Sequence, residues 1–216
     1  MTLRRRLGAA ARDGRTPAAL LAALALAHPW MEATMARHMG LQLPLLFVLG
    51  WWAARCAGAR LAQAVSPWNA HGANGLFAAL CTTGLWMLPA ALDLAVLHAG
   101  MALAKVVSLV LAGLLAGLSW TTAGPVLRAF FALNGFWMML AAGLLYQEAP
   151  QQLCSVYLSD QQGDAGRALV AWAAVGLAAW LLQLGWQLHA QDARADRSAP
   201  GGAALPPGPP TPPQRP

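Results

Sequence analysis

The chain has 216 residues, of which 58% are hydrophobic and only 10% charged, and its mean hydropathy is +0.48. An ordinary soluble domain carries about 25% charged residues, so the expected solvent is lipid. The net charge of +6 does not point to nucleic acid, because the arginines sort to one side of the apolar runs. Cys56, Cys81 and Cys154 are an odd number and include no CxxC, so neither a disulfide framework nor a zinc site is indicated.

Taken in order, residues 1–15 form a basic N-terminal segment with Arg4, Arg5, Arg6, Arg12 and Arg15. Residues 16–27 are apolar but short. They read either as a first membrane helix that borrows length from the residues after it, or as a signal peptide cut after Ala25-Leu26-Ala27. Cleavage would leave His28 as an amino-terminal residue able to chelate copper. A second span runs through residues 40–54, a third through 73–92 after the turn-rich PWNAHG, and a fourth through 101–120. Lys105 sits early in the fourth, where a long side chain can snorkel to the interface. Ala112, Gly113, Ala116 and Gly117 favour close helix packing. A fifth span covers 126–146 and a sixth 167–188. The tail from 190 to 216 is Pro-rich and expected to be disordered, with a cytoplasmic partner as one possible use. The fold class is therefore all-α: a polytopic helical membrane protein with a transmembrane domain over 16–189. It has about six membrane helices, or five if the first segment is removed.

With both termini cytoplasmic, eleven basic residues fall inside and only Arg37, Lys105 and Arg167 outside. That split is a positive-inside signal for a bacterial-type inner membrane. Glu32, Asp93, Glu148, Asp160, Asp164 and Cys154 fall outside. Cys154 could be reactive there, whereas Cys81 reads as a small buried hydrophobe. Asp93 is expected to form a structural ion pair with Lys105 or His98, ahead of a proton relay. His71 is expected to be structural.

The stretch HPWMEATMARHM carries the densest chemistry. At about 100° per residue, His28, Met31, Met35, His38 and Met39 fall on one stripe of a continuous helix. Imidazole and thioether together suit Cu(I), so these five residues form a candidate copper site at the outer face. Haem b held by His38 and His98 is the alternative. On one helix His28 and His38 would stand about 15 Å apart. A bland alternative makes the methionines gap fillers and the histidines interfacial.

Over His38-Met39, Gln42, Pro44-Leu45-Leu46 and Gly50 the chain resembles the CtaG-type membrane proteins associated with copper and cytochrome c oxidase assembly. That family often has a second His directly after the Gln, where this chain has Leu43. The resemblance implies a role in maturing a haem–copper respiratory oxidase, with His38 and Met39 as the residues carried over. Oxidase subunits or periplasmic copper chaperones would be the partners. A haem-bearing electron-transfer subunit and a cofactor-free accessory protein are the other readings. A transporter is less favoured, since no inverted repeat is visible. No nucleophile–base pairing or phosphate loop points to an enzyme.

Overall fold

A computed structural model describes residues 15–57 and 59–198. The basic residues 1–14 and the Pro-rich segment 199–216 lie outside the described residues. Among those described there are helices and no strands: α1 (Arg15–Leu26), α2 (His28–Met31), α3 (Met35–Arg37), a π-helical turn (His38–Gln42), α4 (Leu43–Cys56), α5 (Ala59–Val65), α6 (Ala73–Leu85), α7 (Pro89–Leu97), α8 (Ala99–Thr122), α9 (Pro125–Glu148) and α10 (Ser159–Ser198). The chain divides into two compact units, residues 1–177 and 178–216. The second contains the C-terminal part of α10, which stays helical through residues expected to belong to the tail.

Four stretches are long and apolar enough to cross a membrane: Met35–Cys56, Ala99–Thr122, Pro125–Glu148 and Asp160–Ala193. The pair α6 and α7 makes a fifth only if it counts as one span, because it bends by 75°. The protein is thus a helical membrane protein, but the expected six spans become four or five. Two local causes account for the difference. The first apolar helix borrows only the short α2, through Ala27 and up to Met31, because Thr34 adopts an extended conformation and its hydroxyl accepts from Arg37 N–H, starting a new helix. In the third span, Leu88 precedes Pro89 and is extended, as the residue before proline prefers. The chain therefore turns there.

The centre of the fold is the pair α4 and α8, which touch backbone to backbone. A Cβ added to Gly50 would lie 2.0 Å from the Val110 carbonyl oxygen, and one on Gly113 would lie 2.0 Å from that of Phe47. No residue but glycine fits either position. Around this seam, α1 contributes Leu21 and Leu24, and α10 contributes Ala165 and Leu169. By contrast, α9 and the first part of α10 leave much of their apolar length uncovered, including Trp137 and Trp172. Lipid is the natural solvent for those faces.

Candidate functional site

His28 to Met39 is not one helix. It breaks between Met31 and Met35, then widens into the π-turn at His38. Pro44 accounts for the widening: it has no N–H for the Gly40 carbonyl, its α-helical partner, and its ring would clash with it. Trp172 Nε1 donates to the Gly40 carbonyl instead, at 2.7 Å. Gln161 Oε1 accepts from Met35 N–H at 3.3 Å. Both ends of this short irregular stretch are thereby tied to α10.

The break folds Glu32 back beneath the start of α4. Its carboxylate Oε1 is shared. It pairs with the Lys105 ammonium, lies 3.1 Å from His28 Nε2, and lies 3.8 Å from His38 Nε2. On a continuous helix the two histidines would stand far apart; the break brings both to one oxygen. Lys105 is the hub. An ammonium has three N–H groups and no lone pair, and here three acceptors meet it: Glu32 Oε1, His38 Nε2 at 2.8 Å and Gln42 Oε1 at 3.0 Å.

With Lys105 charged, the tautomer of His38 is fixed. Nε2 accepts, so Nδ1 carries the proton and donates to Tyr157 Oη at 2.8 Å. Tyr157 in turn donates to the Glu32 main-chain carbonyl at 3.0 Å. Every polar atom named in this ring has a partner. Burial is deep: Lys105 and His38 are 0% exposed, and Gln42 is 2% exposed. Arg37 takes no part. It donates to Thr34 Oγ1 and the Trp30 carbonyl, and its guanidinium lies over the Trp30 ring.

Tyr157 is held in place by the connection 149–158. Asp93 on α7 accepts from Ser155 N–H at 2.7 Å, from Ser155 Oγ at 2.8 Å and from Val156 N–H at 3.4 Å. Gln162 accepts from Leu153 N–H and donates to the Tyr146 carbonyl. Burial, helped by the negative charges of Glu32 and Asp93, pushes the Tyr157 phenol above its ordinary range. It therefore stays protonated and able to donate.

Several sequence expectations change here. Lys105 does not snorkel but turns inward to a carboxylate. Asp93 binds the 153–157 loop rather than Lys105 or His98. Cys154 is buried, and burial together with Asp93 pushes its thiol up to about 12, so it is not a reactive group. Cys81 is exposed on α6 rather than buried. His71 is exposed in the turn before α6.

The five candidate copper ligands are only partly brought together. Met31, Met35 and Met39 are all buried, and the latter two belong to the apolar core with Leu43 and Leu46. Both His38 ring nitrogens are engaged by Tyr157 and Lys105, leaving no lone pair for an ion in this arrangement. Among the described residues no group of three or more His, Cys, Asp or Glu side chains could hold a metal ion. His98 is exposed at the start of α8, whereas His38, its proposed haem partner, is enclosed.

Glu32 is the residue that sequence reasoning passed over. Its partner Lys105 is 73 positions away. The available signal was a lone lysine inside an otherwise uncharged span, which asks for a counter-charge. No described protein family matches the chain, and no curated protein or solved structure is similar to it.

Proposed function

We propose that this membrane protein works as a proton-responsive element, with Glu32, Lys105 and His38 as the proton-binding centre. The observation that carries the reading is the fully buried Lys105 ammonium held by one carboxylate and two neutral acceptors. Ionisable groups inside membrane spans are costly and mark functional sites by default. Protonating Glu32 would remove the only formal negative charge in the ring. Lys105 would keep His38 and Gln42 but lose its counter-charge in a low-dielectric setting, where an unpaired charge is strongly disfavoured. The π-turn carries both remaining acceptors, so it is the part that must move.

By the positive-inside rule we place the face bearing Arg55, Arg60 and Arg128 in the cytoplasm of a bacterial-type cell. Glu32 then lies toward the outer side. The copper and haem readings, and with them a role in oxidase assembly, rank below this one. Each requires His38 to release Lys105 or Tyr157 before it can bind.

Infrared difference spectra between acid and neutral pH test the proposal on detergent-purified protein. Wild type should show a protonated-carboxyl band accompanied by backbone amide changes, and Glu32→Gln should lose both. A wild-type spectrum identical to that of Glu32→Gln would refute it.

A further inference from the structure

Resting on that reading, we infer that the proton site is a dead end with a single port, His28, so that the protein senses protons without conducting them. Exposure falls steadily from the rim of the cluster inward. The His28 side chain is 34% exposed, that of Glu32 10%, and those of Lys105 and His38 0%. His28 is the only one of these with substantial contact with solvent. A proton taken up at His28 Nδ1 allows Nε2–H to pass its proton to Glu32 Oε1. One N–H bond breaks, one O–H bond forms, and the imidazole is left neutral.

Beyond Lys105 the path stops. The buried face of α8 continues as Leu109, Ala112, Gly113 and Ala116, and the next buried polar group is Ser119, about 21 Å further along at 1.5 Å per residue. The facing residues of α4 are Leu43, Leu46, Leu49 and Gly50. Over this stretch the two backbones are in direct contact at Gly50 and Gly113, and Gly117 abuts Trp51 and Ala54. Where these backbones touch, no water fits between α4 and α8. Ser108 offers no detour, because its hydroxyl donates to the Lys105 carbonyl and accepts from Trp86 Nε1. Tyr157 leads only back to the Glu32 carbonyl.

The groups facing Glu32 are His28 from α2, His38 from the π-turn, Lys105 from α8 and Tyr157 from the 149–158 connection. None of them reaches the Arg55 side. The site therefore equilibrates with one compartment.

The test uses the full chain in phosphatidylcholine vesicles, in one orientation verified by impermeant labelling of Gln151→Cys. Acid jumps are applied to each side in turn while the Glu32 carboxyl band is followed, and a trapped pH dye records flux. The inference predicts the band only after a jump on the His28 side, at least tenfold slower in His28→Ala, with no flux above that of empty vesicles. A band after jumps on either side, or a flux abolished by Glu32→Gln, would overturn the one-sided port and leave the proton site standing. Absence of the band from both sides would overturn the proton site itself.

Discussion

The α4–α8 pair ends in two buried polar clusters built from opposite chemistry. At one end Lys105, Glu32, His38 and Gln42 form a charged ring. At the other, Asn69 Nδ2 donates to Ser119 Oγ at 2.8 Å, Asn69 Oδ1 accepts from Gly75 N–H at 3.0 Å, and Ser119 donates to the Leu115 carbonyl. Gly72, at φ +76°, makes the turn that allows this; a side chain there would be strained and would strike the Ser119 carbonyl. The neutral lock joins the turn to α6 and α8, and none of its groups titrates in any ordinary pH range. A fold that needs only a fastening can use amides and hydroxyls. The charged end costs more to bury and gains little stability over a packed apolar equivalent. On the proposed reading its chemistry serves function, whereas that of the Asn69 lock serves structure.

The comparison is broken most severely by removing half of the ion pair. Lys105→Met should cost up to about 3 kcal/mol at neutral pH, because Glu32, with little solvent contact, loses its counter-charge; thermal melts in detergent check this. Next in size is the seam between the two ends. Gly113→Ala places a Cβ against the Phe47 carbonyl and should cost about 1–3 kcal/mol or more. Gly135→Ala, with open space around it, should be neutral or slightly stabilising in the same assay.

Asn69→Ala should cost about 1–3 kcal/mol by stranding the Gly75 N–H. That loss should be equal at pH 5 and pH 8, unlike any loss at the charged end. An effect absent at neutral pH concerns Cys154. Its folded-state value of about 12 lies above the ordinary 9. The unfolded chain therefore releases this proton first, and stability falls as pH rises from 9 toward 12. Below pH 9 the group contributes no pH dependence. Cys154→Ala should flatten that alkaline slope, and iodoacetamide should label native Cys154 only slowly at pH 8.

The membrane class and the long spans were legible because uninterrupted apolar runs at α8, α9 and α10 leave few alternatives. The close α4–α8 contact was foreshadowed by Gly113 and Gly117, although its partner Gly50 was not. Two features hid the site. The helical stripe over His28–Met39 assumes an unbroken 100° period, which Thr34 and Pro44 interrupt. The pairing of Glu32 with Lys105 is a tertiary contact between residues that each look interfacial alone. His38 was singled out as a copper or haem ligand, whereas the structure shows it as a buried imidazole between Tyr157 and Lys105. Its partners, an ammonium and a phenol, come from α8 and from a loop whose positions no local pattern fixes.

On the proposed reading the charges at the Glu32 end serve function and are dispensable for folding. Thermal stability of the Glu32→Gln/Lys105→Met double variant at neutral pH tests it most directly. The account predicts recovery to within about 1 kcal/mol of wild type, since both charges leave together. A double variant as unstable as Lys105→Met alone would show that the ring is a structural fastening like the Asn69 lock, and would contradict the account.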